Sequence, residues 1–245
     1  MNPSEKVKFI SNWIKSYVDN MPSKAEALVI GISGGIDSSV SSTLSAMTGL
    51  KTIVLSMPIK QKENQHDLSL KHQNWLVEKF KNVEAHTLNL DQLFNSFSST
   101  LNKFDNEHGF ANSRARLRMA TLYQVAAANK GIVVGTGNKV EDFGVGFYTK
   151  YGDGGVDISP IADCNKSDVW ELGKELGILK EIIDAPPTDG LWDDGRTDEG
   201  QLGFKYEDLE DAMMNPDSPH RAEYEKIRKQ NLHKMEPIPV CKIPS

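Results

Sequence analysis

The sequence predicts an α/β fold in which a doubly wound parallel sheet is flanked by helices. Short apolar runs with polar borders alternate with longer segments whose apolar residues recur at helical spacing, and this alternation typifies parallel sheets. The chain has 245 residues, of which 38% are hydrophobic. That length is enough to bury one sizeable core without metals or disulfides, so we expect a single domain over residues 1–245.

The first half of the chain carries the clearest alternation. Apolar residues at helical spacing predict a helix over residues 6–19, and the apolar run at 27–32 predicts a buried parallel strand. A turn rich in glycine and serine separates this strand from the next helix. The elements that follow are expected to be a helix over 40–47, a strand over 51–57, a helix over 63–80, a strand over 83–90 and a helix over 91–104.

The second half begins regularly and then changes character. Residues 112–129 are rich in strong helix formers, and 132–135 predict a short strand. Residues 143–160 are rich in glycine, and 185–203 predict a long loop. Two helices are expected beyond them, one from a cap at 165–168 to Gly177 and one from Ser218-Pro219 to about Lys234.

Composition excludes several classes of function. The net charge of −6 argues against non-specific binding to a nucleic acid. Cys164 and Cys241 are far apart and fit no ligand pattern, so we expect two free thiols in a reducing compartment. We find neither a signal-peptide layout nor the ~20 apolar residues that a membrane span requires. A soluble, cytoplasmic protein without a membrane or nucleic-acid partner is expected.

The first chemical motif is the run Gly31-Ile32-Ser33-Gly34-Gly35-Ile36-Asp37-Ser38-Ser39, which lies between a predicted strand and a predicted helix. Glycines allow a sharp turn, and the unpaired amides of a helix start favour phosphate. The run is neither a Walker A loop nor a Gly-x-Gly-x-x-Gly loop. Asp37 is either a Mg²⁺ ligand beside the phosphates or a carboxylate that only complements the helix dipole.

This loop resembles the pyrophosphate loop of ATP pyrophosphatases, which cleave ATP between its α and β phosphates. Three further segments resemble the NAD synthetase family in particular, namely 111–119, then 135–141 with 146–157, and finally 186–192 with His233-Lys234. The run Thr149-Lys-Tyr-Gly-Asp-Gly-Gly155 is the most specific. Many bacterial members have Asp-His where this chain has Gly137-Asn138, and Gln where it has Ile36.

The resemblance implies a fold and an activity. The fold would be the Rossmann-like sheet of the ATP-pyrophosphatase type. The activity would be that of a carbon–nitrogen ligase, in which ATP adenylates the nicotinate carboxylate of deamido-NAD and ammonia then displaces AMP. Pyrophosphate and NAD are the other products, and the reaction ends NAD biosynthesis. The chain has no room for an added glutaminase domain, which favours free ammonia. The family further implies Mg²⁺ and a homodimer.

The resemblance also assigns residues. The ATP contacts would be Gly31, Ile32, Ser33, Gly34, Gly35, Ile36, Asp37, Ser38, Thr136, Lys166 and Thr188. The Mg²⁺ ligands would be Asp37 and Glu141. The deamido-NAD contacts would be Arg116, Lys150, Asp157, His233 and Lys234. For the reaction itself, and apart from the resemblance, we take Asp153 as the candidate to bind ammonia or accept its proton. Residues 60–65 and 187–202 are expected to be lids, with Trp192 either a lid residue or a packing aromatic.

Other readings of these residues stay open. Asp153 also fits a turn aspartate, His233 a helix-end histidine, and Lys150 or Lys166 a solvated lysine. Arg114 and Arg118 share a helix face from which Arg116 points away.

Two other functions are also possible. A tRNA-modifying enzyme would have a basic surface and, if it transferred sulfur, catalytic cysteines. A nucleotide-binding regulator would hold ATP without turnover and would need no second set of cationic contacts.

Overall fold

The computed structural model describes residues 1–60, 63–187 and 198–243. Four parallel strands form one sheet in the order β3-β2-β1-β4. Their bounds are β1 Ala27–Gly31, β2 Lys51–Ser56, β3 Val83–Thr87 and β4 Ile132–Val133. The prediction of a parallel sheet flanked by helices is confirmed.

Ten α-helices are described around this sheet. The first six along the chain are α1 Pro3–Asp19, α2 Ile36–Met47, α3 Glu63–Lys79, α4 Asp91–Thr100, α5 Glu107–Ala128 and α6 Lys166–Leu176. The remaining four are α7 Lys180–Ile183, α8 Asp198–Leu202, α9 Tyr206–Met214 and α10 Arg221–Met235. A π-helical segment, Lys139–Val145, follows β4.

Strand β1 is buried on both faces because helices cover the sheet on both sides. Leu28 and Ile30 pack with apolar residues of α1, α2 and α6. Ala27 and Val29 point the other way and pack against α4 and α5. A strand with two buried faces should read as a continuous apolar run, and that is how it was identified in the sequence.

The apolar face of helix α1 packs against other helices of the same chain. Ile14 and Val18 are fully buried in the same cluster as α2 and α6. The helix begins earlier than predicted, because Asn2 and Glu5 form a capping box around its first turn. A second row of aromatic residues stays exposed on this helix, consisting of Phe9, Trp13 and Tyr17.

Several predicted boundaries are wrong. Helix α2 begins at Ile36 rather than at 40, so the second half of the phosphate motif is helical. Helix α10 begins at Arg221 rather than at Pro219, because Ser218 starts a turn in which its carbonyl accepts from the amide of Arg221. The predicted strands at 83–90 and 132–135 are longer than β3 and β4. Helices α7, α8 and α9 and the π-helical segment were not predicted.

Other predictions are confirmed. Asn165 and Asp168 form the predicted capping box of α6, and Gly177 ends that helix with a φ of 69°. Cys164 and Cys241 are both free thiols. No helix within 1–60, 63–187 or 198–243 is long and apolar enough to cross a membrane.

A histidine is buried between α2 and α3. His72 is fully buried, and its Nε2 lies 3.0 Å from the hydroxyl of Ser42. Burial lowers the pKa of His72 to about 4, although a hydrogen bond with the backbone of Ser39 opposes the shift. The folded state therefore holds a neutral imidazole where the unfolded chain would bind a proton below about pH 6.5.

We predict that this histidine makes the fold sensitive to acid. Between pH 7 and pH 4.5 the unfolded state binds a proton at His72, whereas the imidazole of the native state stays mostly neutral. This difference should lower the free energy of unfolding by about 2 kcal/mol. Denaturant titrations should show that His72→Gln flattens this pH dependence. His220→Gln, at a partly exposed histidine, should not. Equal slopes in both variants would contradict the prediction.

Candidate active site

The candidate site lies where the order of the sheet reverses direction. The chain runs from β1 to β2 on one side, whereas β4 pairs with β1 on the other. In open parallel sheets, ligands bind outside the carboxyl ends of the strands at such a switch point. Ser33, which follows β1, and Thr136, which follows β4, both lie at this edge.

The loop after β1 is folded by its own serines. Gly34 has a φ of 92°, a conformation that favours glycine. The hydroxyls of Ser33 and Ser38 lie 3.1 Å apart, and Ser38 donates to the carbonyl of Gly35 over 3.0 Å. The amide of Ser33 in turn donates to Ser38 over 3.2 Å. The loop is therefore shaped before any ligand arrives.

This loop can offer backbone amides to an anion. Gly35 is the N-cap of α2, so the first amides of the helix lack intrahelical acceptors. Ile32 and Ile36 are buried, and a Cβ on Gly173 would meet Ile36 Cδ1 at 2.6 Å. Their side chains belong to the core, and any contact that these two isoleucines make with a nucleotide uses the main chain.

A buried cation joins the two predicted metal ligands. Lys166, at the start of α6, is 1% exposed. Its Nζ donates to Asp37 Oδ2 over 2.7 Å and to Glu141 Oε1 over 2.9 Å. Three segments that are distant in the sequence thus meet at one charge cluster, beside the start of α2.

The cluster keeps Lys166 charged. Burial acts to lower the pKa of Lys166, but the charges of Asp37 and Glu141, and its hydrogen bonds to both, raise it above the usual lysine value. A permanently charged ammonium that touches the start of α2 is suited to a polyphosphate.

The same carboxylates fit the chemistry of Mg²⁺. Carboxylate oxygens are hard ligands, and Mg²⁺ is usually bound through one or two of them together with waters and substrate phosphates. In the described part of the chain, no three His, Cys, Asp or Glu side chains converge as a metal cage. Asp37 and Glu141 could therefore hold the ion together with a nucleotide.

Two further side chains complete this cluster, and sequence reasoning missed both. Asn138 is fully buried and donates from Nδ2 to Asp37 Oδ1 over 2.9 Å. Tyr206, on α9, donates from its hydroxyl to Glu141 Oε1 over 2.5 Å. The helical spacing of Tyr206, Leu209 and Met213 was a usable signal for α9.

The predicted dinucleotide contacts form a second group along α5. Arg116 is exposed and donates from Nε to the carbonyl of Lys150 over 3.3 Å. As predicted, Arg118 points elsewhere and donates to the carbonyl of Met57 at the end of β2. Gly152 packs on Ala115, where an added Cβ would lie 2.8 Å away. The glycine-rich loop therefore follows the face of α5.

The end of α10 closes the other side of this loop. Lys234 is half-buried, and its Nζ donates to the carbonyls of Gly146 and Tyr148 over 2.8 and 2.9 Å. Burial lowers the pKa of Lys234. Lys150 donates to the carbonyl of His233 over 2.6 Å. The structure thus brings four of the predicted dinucleotide contacts together, with both lysines already bonded to main-chain carbonyls.

Asp157, the fifth predicted contact, has structural partners. Its Oδ2 accepts the amide of Val133 over 2.7 Å, and its Oδ1 accepts the hydroxyl of Tyr123 over 3.1 Å. Burial, with the charge of Asp157, raises the pKa of Tyr123 to about 12. This carboxylate therefore joins β4 to α5.

Two aspartates lie between the two groups. Asp153 is exposed and accepts the amide of Thr149 over 3.0 Å, as a turn aspartate does. Asp142, which sequence reasoning missed, fills the space that a side chain at Gly137 would need. Burial first, and then the charges of Asp153, Glu141 and Asp37, raise the pKa of Asp142 well above its usual range.

Some predicted residues cannot be placed. Thr188 and Trp192 lie outside the described residues, as do residues 61–62 and 188–197 of the two predicted lids. Thr136 is half-buried at the end of β4.

A family model described as NAD synthase matches residues 6–243. The chain belongs to the NAD synthase family. The NH₃-dependent NAD⁺ synthetase of Carboxydothermus hydrogenoformans is 36% identical over 87% of this chain and 86% of its own. That of Finegoldia magna is 34% identical over 96% and 94%. The family predicted from the sequence is confirmed, and with it a ligase of NAD biosynthesis that uses ATP.

Solved structures of this NAD synthase family share the fold. The NMN synthetase from Francisella tularensis aligns with a TM-score of 0.89 at 33% identity, over 99% of this chain and 100% of its own. The NH₃-dependent NAD synthetase from Campylobacter jejuni aligns with a TM-score of 0.79 at 24% identity, over 99% and 100%. The second likeness concerns the fold alone.

We predict that Lys166 stabilises the fold. Lys166→Met leaves the partly buried carboxylates of Asp37 and Glu141 without the cation that both contact, which should lower the free energy of unfolding by about 3 kcal/mol. Lys180→Met, which breaks an exposed pair with Asp184, should change it little because solvent screens that pair. Denaturant titration measures both, and equal small effects would contradict the prediction.

Proposed function

We propose that the chain amidates deamido-NAD with ammonia and ATP, through an acyl-adenylate, and that it does so at the charge cluster formed by Asp37, Glu141 and Lys166. The observation that carries this proposal is the buried Lys166 ammonium, held at the start of α2 beside a preformed loop of backbone amides. The relatives named NH₃-dependent NAD⁺ synthetases support the choice of reaction.

The phosphates of ATP would bind at the loop from Gly31 to Ser38. The amides at the start of α2 and the hydroxyls of Ser33 and Ser38 can donate to phosphate oxygens. Lys166 would stabilise the charge that develops on the departing pyrophosphate. Thr136 lies at the same edge of the sheet and suits a nucleotide contact, and Thr188 remains a proposed contact.

The metal would be held by Asp37 and Glu141. When bound, Mg²⁺ would neutralise charge on the phosphates and so reduce the repulsion that a carboxylate meets on approaching ATP. Asn138 holds one oxygen of Asp37, and Tyr206 and Lys166 hold one oxygen of Glu141. The two carboxylates are therefore oriented before the ion binds.

The dinucleotide would bind along α5 and the end of α10. Arg116 is exposed and can reorient toward a pyrophosphate, with which guanidinium groups pair well. Lys150, His233 and Lys234 lie around the same loop, and Asp157 lies further along α5. Ammonia would attack the activated carbonyl from this side, with Asp153 as the proposed acceptor of its proton.

A mononucleotide is the second candidate for the acceptor. The structure with 33% identity and a TM-score of 0.89 is that of an NMN synthetase, and it covers nearly the same length. If this chain shared that specificity, it would amidate nicotinic acid mononucleotide, which carries the same reacting carboxylate but lacks the adenylate half.

A homodimer remains part of our proposal, and the exposed row Phe9, Trp13 and Tyr17 offers it an apolar face.

We predict that turnover depends on Asp37. The enzyme with ATP, Mg²⁺ and deamido-NAD should form AMP, pyrophosphate and NAD in equal amounts when ammonium is supplied. Asp37→Asn keeps the volume but removes a charged ligand, so kcat should fall about a hundredfold. Asp19→Asn, on the surface, should not change it. A fully active Asp37→Asn enzyme, or NAD formed only from glutamine, would contradict the proposal.

We predict further that the site prefers the dinucleotide. The ratio of kcat/KM for deamido-NAD over nicotinic acid mononucleotide should exceed one, and Arg116→Ala should raise KM for the dinucleotide roughly tenfold with kcat little changed. Lys130→Ala, at a surface pair, is the control. A ratio well below one would instead select the mononucleotide.

A further inference from the structure

Helix α9 connects the C-terminal part of the chain with the charge cluster. Tyr206, its first residue, is 1% exposed although it carries a hydroxyl. That hydroxyl donates to Glu141 Oε1 over 2.5 Å. A buried phenol that donates to a carboxylate makes a stronger hydrogen bond than a neutral pair does.

The ring of Tyr206 contacts the same cluster as its hydroxyl. Lys166 Nζ lies 4.9 Å from the ring centroid, within the range of a cation–π interaction. Trp170 packs edge-on against the other part of the ring, with centroids 5.9 Å apart. Tyr206 therefore touches the carboxylate and the ammonium at once, and the indole of Trp170 packs against its ring.

A second side chain of α9 holds the start of α6. Glu210, one turn after Tyr206, accepts from the amide of Ser167 over 2.9 Å and from its hydroxyl over 2.7 Å. Ser167 is the neighbour of Lys166. Of the two side chains of α9, Tyr206 therefore holds Glu141, and Glu210 holds the residue next to Lys166.

We propose that Tyr206 is a positioning residue that orients Glu141 for Mg²⁺. This inference rests on the proposed function, because it requires Glu141 to be a metal ligand. Tyr206 and Lys166 both donate to Oε1. Within the described residues, no bond to Oε2 accompanies them, so Oε2 presents its lone pairs to a cation. Without the phenol, the carboxylate can rotate about its last bond and present both oxygens to Lys166.

The decisive measurement is metal affinity, because a residue that only fills the core would not affect it. Mn²⁺ can be titrated into the full-length enzyme with a non-hydrolysable ATP analogue and followed by electron paramagnetic resonance. Tyr206→Phe keeps the ring and removes the hydroxyl that donates to Glu141, so the dissociation constant for Mn²⁺ should rise about tenfold. The Mg²⁺ concentration for half-maximal turnover should rise similarly, with kcat at saturating Mg²⁺ almost retained.

Tyr224→Phe is the matched control. Tyr224 is buried in the same apolar cluster, but its ring faces Arg221 rather than a carboxylate, so Mn²⁺ affinity should stay unchanged. Tyr206→Phe with lower thermal stability but unchanged Mn²⁺ affinity would overturn the inference and leave Tyr206 as a core residue. Unchanged affinity in Glu141→Gln would instead show that the proposed metal site is wrong, and the inference would fall with it.

Discussion

The architecture of the site depends on one buried ion cluster. An ammonium that is almost fully buried is costly unless carboxylates compensate it, and Lys166 is compensated by Asp37 from the first turn of α2 and by Glu141 from the π-helical segment. Each partner belongs to a different stretch of the chain. Because none of the three charges is tolerable alone at this depth, the cluster fixes how α2, α6 and the segment after β4 sit together. The groups proposed to hold a nucleotide are those that hold these elements in place.

Much of the fold could be predicted because it follows from local patterns. The apolar run of β1 predicts a strand buried on both faces, and the capping residues Asn165 and Asp168 mark the start of α6. The start of α2 was placed four residues late because Ile36, Asp37 and Ser38 were assigned to the turn. A glycine that can serve as an N-cap makes the end of a loop and the first turn of a helix look alike in sequence.

The site could be predicted only where a motif names its residues. Asp37, Glu141 and Lys166 were expected near ATP, but nothing local in the sequence shows that the lysine bridges the two carboxylates. Asn138 and Tyr206 were missed because their role arises from tertiary contact, across about a hundred residues for Asn138. Arg116 and Lys150 were predicted as ligand contacts, and in the structure they also brace the loop. The ligand assignments of these residues stay predictions.

The carboxylate of Asp142 occupies the volume beside Gly137 where any other residue would place its β-carbon. The two positions therefore constrain each other sterically. A protein with an aspartate at the place of Gly137 needs a small residue at the place of Asp142. A protein with an aspartate at the place of Asp142 needs a glycine at the place of Gly137. An acidic group can therefore move from one side of this contact to the other if the bulk at Asp142 is removed before a side chain is introduced at Gly137. Across many sequences, such a constraint would leave a signature of paired substitution.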